Sequence, residues 1–232
     1  MGIIKQDFTS EGEEMHMKTD LTEIVFILDR SGSMEGLEED TIGGYNAFLK
    51  SQRENEGEAQ VTTILFDDHY EILHNGVDLR RVKPITAAEY FVRGSTALLD
   101  AVGKTILKVG HRLARTPEDV RPAKVVFVIT TDGMENSSRE FTFQKIKDMI
   151  THQQEKYSWE FIFLGANIDA ESTAGQIGIH PDQAATYTAD AEGTEAVYES
   201  MARNVSMLRN QGMMEPDWKQ KMQDERVAKK RM

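Results

Sequence analysis

The sequence predicts one α/β domain: a doubly wound, mostly parallel sheet with one antiparallel edge strand and helices on both faces. The runs at residues 24–28 and 125–129 are continuously apolar, and the run 159–164 is apolar except at Glu160, as in strands buried on both faces of a parallel sheet. Segments with apolar residues at helical spacing lie between these runs, and alternation of strand and helix is typical of this architecture. The length of 232 residues suits one core of this kind.

The first half of the chain predicts one βα unit followed by a hairpin. After the apolar run 24–28, the residues Leu37, Thr41, Tyr45 and Phe48 recur at helical spacing. Two further strand-like runs, 61–66 and 70–73, flank the short connector 67–69. So short a connector predicts a hairpin, and therefore an antiparallel strand at one edge of the sheet.

The second half repeats the pattern. The run 125–129 follows a helix marked by Leu99, Val102, Ile106, Val109 and Leu113. The remaining predicted elements are a helix with an apolar face over 143–150, the strand 159–164, a short helix over 170–177, a weak strand over 185–188 and a helix over 194–209. Gly212 is placed to end this last helix.

The domain is expected to span residues 20–211. Residues 1–19 show no steady period and predict an amino-terminal arm. Residues 212–232 predict a charged tail or a short helix. Its apolar face, Trp218, Met222 and Val227, is thin, so we expect weak docking.

The composition excludes several classes of site and partner. The net charge of −12 opposes non-specific attraction to nucleic acid or to anionic lipid. The absence of cysteine excludes disulfides, thiolate metal sites and cysteine nucleophiles. No secretory signal or apolar segment of membrane-spanning length is recognisable. We therefore expect a cytoplasmic protein without direct contact to a membrane or to nucleic acid. The sequence does not determine the oligomeric state, and we favour a monomer.

Polar residues follow two of the predicted strands at the point where each strand ends. Asp29, Ser31 and Ser33 come after the first strand, Asp132 follows the run 125–129, and Thr96 precedes a helix between them. In a doubly wound sheet such positions meet at one edge, where ligands bind. Carboxylates and hydroxyls are hard ligands that favour Mg²⁺, Mn²⁺ or Ca²⁺. Taken singly, each motif is also explained as a turn or a helix cap.

Together these residues resemble the metal ion-dependent adhesion site of von Willebrand factor A domains, which combines Asp-x-Ser-x-Ser with a distant Thr and a distant Asp-Gly. The resemblance covers about residues 21–211 and is nearest to stand-alone bacterial and phage-type A domains. It implies direct coordination by the hydroxyls of Ser31, Ser33 and Thr96, and direct or water-mediated coordination by Asp29 and Asp132. It also implies an open coordination position that takes a Glu or Asp side chain of another protein.

The sequence therefore predicts a non-catalytic, divalent-metal-dependent protein-binding module. A metal-dependent hydrolase and a component of a nucleic-acid-associated complex are the alternatives; the first requires a general base or a nucleophile beside the metal, and none stands out. The expected rim is acidic, with Glu35, Glu38, Glu39, Asp40 and Glu135 close to the motifs. The early acids are expected mainly to complement the positive end of the helix that they begin.

Overall fold

The computed structural model describes residues 18–215 and 217–222 of the chain. Its sheet has six strands, which lie in the order β3-β2-β1-β4-β5-β6. The strands are β1 (Lys18–Asp29), β2 (Glu58–Phe66), β3 (Tyr70–Asp78), β4 (Pro122–Thr131), β5 (Glu160–Ala166) and β6 (Ala184–Tyr187). The helices are α1 (Glu38–Arg53), α2 (Leu98–Arg115), α3 (Phe143–Tyr157), α4 (Ala170–Gln176) and α5 (Ala191–Gln211).

The predicted fold class is confirmed. Strand β3 is antiparallel to β2, and all the other neighbouring strands are parallel. The short connector 67–69 leaves room only for a tight return, which makes β3 the antiparallel edge strand.

Both faces of the central strand are buried, which explains its continuously apolar sequence. Ile24, Phe26 and Leu28 pack on one face with residues of α1 and α5. Val25 and Ile27 point to the other face and pack with residues of α2, α3 and α4. Successive side chains of a strand alternate between faces, so a strand covered by helices on both sides needs apolar residues throughout.

The order of the strands places a crevice between β1 and β4. The chain leaves β1 for β2 through α1, and it reaches β4, on the other side of β1, through α2. The loops after β1 and β4 therefore diverge at the carboxyl ends of two adjacent strands. This topological switch point is where doubly wound folds place ligands.

The end of the last helix agrees with the sequence, and the segment after it does not. Gly212 adopts a left-handed conformation (φ 78°), and its N–H donates to the carbonyl of Leu208, as the sequence predicted for a helix end. Trp218 and Met222 are only 2% and 6% exposed, and the indole Nε1 donates to the carbonyl of Asp182 at 2.8 Å. The expectation of weak docking is therefore wrong for residues 217–222, because one indole buries far more area than a count of apolar residues suggests.

The other terminal predictions fall largely on residues that the structure does not describe. Strand β1 begins at Lys18, close to the expected boundary at residue 20, and residues 1–17 of the predicted arm lie outside the described part. Val227 of the predicted terminal face lies outside it as well. Among the described helices, none is long and apolar enough to cross a membrane.

Candidate metal centre

The first strand ends in a loop that is organised by Asp29. This residue is the last of β1 and is fully buried. Its Oδ1 accepts a hydrogen bond from the backbone N–H of Ser31 at 2.7 Å, and its Oδ2 accepts one from the hydroxyl of Thr131 at 2.5 Å. The carboxylate thus joins the ends of the adjacent strands β1 and β4.

Three hydroxyl groups from two loops lie in mutual contact beside this carboxylate. The Oγ1 of Thr96 donates to Ser31 Oγ at 2.9 Å, and the Oγ atoms of Ser31 and Ser33 are 3.0 Å apart. The hydroxyl of Ser33 donates to Oδ1 of Asp132 at 2.7 Å. The structure therefore brings together all five site residues that the sequence predicts, although they lie up to about a hundred positions apart in the chain.

The two carboxylates of this cluster carry an electrostatic strain that a cation would relieve. Burial, with a smaller contribution from the nearby Asp132, raises the pKa of Asp29 to about 6. Burial raises the pKa of Asp132 as well. Within the described part of the chain, neither carboxylate forms an ion pair with a Lys, Arg or His side chain. A pair of desolvated acids without a counter-charge is costly, and a bound cation is one of the few ways to compensate it.

Gly133 keeps the space between the ligand oxygens open. A Cβ at this position would lie 2.8 Å from Thr96 Oγ1 and 2.9 Å from Ser33 Oγ, closer than real Cβ atoms approach their neighbours. The sequence alone is also explained by an ordinary tight turn at Asp132-Gly133. In the structure, a glycine is required at this position because any side chain would collide with the hydroxyls of the site. Five oxygen donors, two of them acidic, around a gap that a methyl group would fill suit a hard divalent cation.

The position of Thr96 is fixed by the loop that follows Asp132. The backbone N–H of Thr96 donates to Oδ1 of Asn136 at 3.0 Å, and the N–H of Asn136 returns a bond to the carbonyl of Thr96 at 3.1 Å. Sequence reasoning missed Asn136. The only indication in the sequence is that Asn136 lies four residues after Asp132, and this position does not show that its side chain bonds to Thr96.

Glu135 was expected to make the rim acidic, but its carboxylate is used within the fold. Its Oε2 accepts from the N–H of Leu99 in the first turn of α2, and its Oε1 accepts from the N–H groups of Ser137 and Ser138. In return, the carboxylate of Asp100 accepts from the N–H groups of residues 139–141. The loop after β4 and the start of α2 are therefore held together from both sides.

An ion-pair cluster built around the buried side chains of Arg30 and Asp67 holds the loop after β1 against the segment that carries Thr96. Arg30, fully buried, contacts Asp67 Oδ2 at 3.1 Å and Glu71 Oε2 at 2.7 Å, and Arg93 contacts the same Asp67 oxygen at 2.7 Å. The carboxylate of Asp67 also lies near the carboxylate of Asp68 and the ring of His69, and these three side chains could together hold a metal ion. Because two arginines already neutralise Asp67, we interpret this turn as an anchor for the candidate metal centre.

The acids that follow the first motif lie where the favoured interpretation placed them. Glu38, Glu39 and Asp40 occupy the first turn of α1, next to the positive end of the helix dipole. The carboxylate of Glu38 also accepts a hydrogen bond from the N–H of Gly36 at 2.7 Å. These contacts explain the acids without a role in metal binding.

Solved structures of other proteins share this architecture. The archaeal protein VWA2 of Sulfolobus acidocaldarius, an ArnB paralog, superimposes with a TM-score of 0.51 at 13% sequence identity, over 82% of this chain and 46% of its own. The chain has the von Willebrand factor A fold. A second structure with this fold is that of proximal thread matrix protein 1 from the mussel byssus, solved with a zinc-occupied MIDAS motif (TM-score 0.58, 15% identity, 82% of this chain and 47% of that one).

A third similar structure is the manganese-loaded TRAP protein of Plasmodium vivax, with a TM-score of 0.56 at 15% identity, over 77% of this chain and 72% of that one. The chain spans about half the length of the mussel and archaeal proteins. No protein-family model matches the sequence, and no curated protein matches it. The similarity is therefore one of fold.

Proposed function

We propose that this A domain is a divalent-metal-dependent protein-binding module that captures a Glu or Asp side chain of another protein. The observation that carries the proposal is the convergence of two desolvated carboxylates and three hydroxyls from three separate loops, in which no Lys, Arg or His side chain of the described residues forms an ion pair with either carboxylate. The zinc-occupied MIDAS motif of the mussel protein and the manganese in the Plasmodium protein support a divalent ion at this place in the fold.

Each of the five residues has a distinct role in this proposal. Ser31, Ser33 and Thr96 offer neutral hydroxyl oxygens, and Asp29 and Asp132 offer negative charge, directly or through water. When bound, the ion supplies the positive charge and the coordination position that an acidic side chain from outside needs. Mg²⁺ and Mn²⁺ fit a set of hard oxygens well, and Ca²⁺ is possible.

The proposal is binding without catalysis. Among the described residues, the side chains outside this set that hydrogen-bond to the five site residues are those of Tyr90, Thr131 and Asn136, and none of them titrates near neutral pH. A hydrolase would need a general base or a nucleophile at this place. Two similar structures bear the names of a thread matrix protein and a pilus adhesin, which agrees with a binding role. A monomeric state, a cytoplasmic location, a stand-alone A domain and a lack of nucleic-acid contact stay predictions.

The first test measures whether the fold responds to metal. An ion that binds only the native state adds about 2.7 kcal/mol of stability at 100 times its dissociation constant, so chelator should lower the Tm of the wild type. Asp29→Ala and Asp132→Ala should melt identically with and without Mg²⁺ or Mn²⁺. Glu155→Ala removes an exposed acid of α3 and should retain the full metal response. An equal response in all four proteins would refute the metal site.

The second test measures partner capture. Thr96→Ala leaves both carboxylates in place, so the fold should persist and metal affinity should fall only modestly, whereas capture of a partner from the native host should fall much more. Thr96→Ser, which keeps the hydroxyl, is the matched control. Once a partner is identified, replacing its ligating acid by the neutral amide should abolish metal-dependent binding. Undiminished binding of the amide form would exclude carboxylate capture.

A further inference from the structure

A second polar cleft lies at the opposite edge of the sheet from the candidate metal centre. It is formed where β1 and β2 begin and where α1 and α5 end, and it has a volume of about 510 Å³. Four arginines line it: Arg53, Arg80, Arg81 and Arg209. Such a concentration of positive charge is unexpected in a chain with a net charge of −12.

Two of these arginines are held in place by neutral carbonyl groups. Arg209 donates from Nη1 to the backbone oxygen of Gln52 at 2.7 Å, and from Nη2 to the backbone oxygens of Glu56 and Gly57 at 3.2 and 3.1 Å. Arg53 donates to two backbone carbonyls of the neighbouring turn, those of residues 79 and 82. The guanidinium groups are thus oriented before any ligand arrives, so little side-chain entropy remains to be lost on binding.

The positive charge of the cleft is only partly balanced. The lining contains two acids, Glu58 and Asp78, and the carboxylate of Asp78 is already bound through both oxygens by Arg80. Within the described residues, Arg81 and Arg209 form no ion pair. Arg209 is only 6% exposed, its Nε has no hydrogen-bond partner in the described part, and burial lowers its pKa. A buried cation that has only neutral partners is stabilised by an anion nearby.

The residue type narrows the chemistry of that anion. Planar guanidinium groups match the paired oxygens of phosphate and bind them through charge-assisted hydrogen bonds. A dianionic phosphoryl group can neutralise two arginines, which a single carboxylate cannot. The cleft is concave, and the strongly acidic chain around it disfavours an extended polyanion such as nucleic acid. We propose that the cleft lined by Arg53, Arg80, Arg81 and Arg209 binds the phosphoryl group of a small molecule.

The test titrates the full chain with inorganic phosphate and, separately, with glucose 6-phosphate, by calorimetry and by thermal unfolding. Phosphate also binds open metal sites, so the titrations use chelator and are repeated with Asp132→Ala. Ionic strength is held constant with chloride. We expect saturable binding and a rise in Tm that do not depend on Asp132. The tighter of the two ligands shows whether the cleft takes free phosphate or a phosphate ester.

Arg81→Gln is the decisive variant, because Arg81 is exposed and its loss should leave the fold intact. Removing one charge-assisted guanidinium contact should weaken phosphate binding roughly tenfold. Arg115→Gln, an exposed arginine at the end of α2, should bind like the wild type. Absence of saturable binding of both ligands overturns the proposal. So does unchanged affinity in Arg81→Gln, or an equal loss in Arg115→Gln.

Discussion

The two edges of the sheet carry opposite charge. At the carboxyl edge, Asp29 and Asp132 meet a cluster of hydroxyls, and acids fill the first turn of α1. At the amino edge, Arg53 and Arg209 occupy the last turns of α1 and α5 and contact backbone carbonyls. Among the described residues, the two carboxylates at the first edge form no ion pair, and the arginines lining the cleft at the second edge outnumber its acids.

The direction of the helices explains much of this difference. In a parallel α/β sheet each connecting helix begins at the carboxyl edge and ends at the amino edge, so all the helix dipoles point the same way. Acids are favoured at the starts of the helices and arginines at their ends. The fold therefore places acids at the carboxyl edge and arginines at the amino edge. The two binding proposals concern the acids and the arginines that have no charged partner of the opposite sign among the described residues.

Arg209→Met should have the largest effect on stability. It removes the donors to the backbone oxygens of residues 52, 56 and 57, of which residue 52 is fully buried, and this loss should lower the free energy of unfolding by about 3 kcal/mol. Urea denaturation measures the loss. Arg115→Met, at an exposed position of α2, should change stability by less than about 0.5 kcal/mol. If both variants unfold alike, Arg209 does not hold the amino edge together.

Gly133→Ala should act at the carboxyl edge and mainly on metal affinity. The new methyl group would push against Thr96 Oγ1 and Ser33 Oγ, so we expect metal affinity to fall by about tenfold or more, with a loss of fold stability of roughly 1–3 kcal/mol. Titration calorimetry with Mn²⁺ measures the affinity. In the control Gly43→Ala, a methyl group in α1 enters open space and should leave metal binding unchanged. Wild-type affinity in Gly133→Ala would place the metal elsewhere.

Asn136→Ala should have the smallest effect of the three. Only the side-chain acceptor for the N–H of Thr96 is lost, while the backbone bond in the other direction stays. We expect stability to fall by about 1 kcal/mol and metal affinity to fall a few-fold, because one hydrogen bond contributes about that much. Asn75→Ala, at an exposed position of β3, is the matched control. A change in stability without any change in metal affinity would show that Asn136 does not position the ligand.

The sequence predicted the parts of the fold that depend on local patterns. Continuous apolar runs identified the buried strands, the short connector 67–69 identified the antiparallel edge, and Gly212 identified the end of α5. The five candidate ligands were predictable because each lies in a short motif at the end of an element. Periodicity and motif position are properties of neighbouring residues, so one sequence is enough to recognise them.

The contacts that support the site were not predictable in this way. Asn136 bonds to the backbone of Thr96, and Glu135 caps α2, across about forty positions of sequence. Arg209 reaches residues some 150 positions away. Hydrogen bonds between a side chain and a distant backbone group follow no sequence period. In the sequence, a residue that forms such a bond cannot be distinguished from an ordinary polar surface residue. The docking of Trp218 was missed for a related reason, because the groove that receives it is built by other elements.

The burial of Trp218 also gives the protein two separate optical reporters. The chain has two tryptophans, and each belongs to a different side of the sheet: Trp159 stacks on Phe127 in the layer of α2 and α3, while Trp218 lies in the layer of α1 and α5. Replacing one of them by phenylalanine leaves a single tryptophan, which lies in the other layer. Intrinsic fluorescence can then follow each layer by itself during unfolding or ligand binding, without any attached dye.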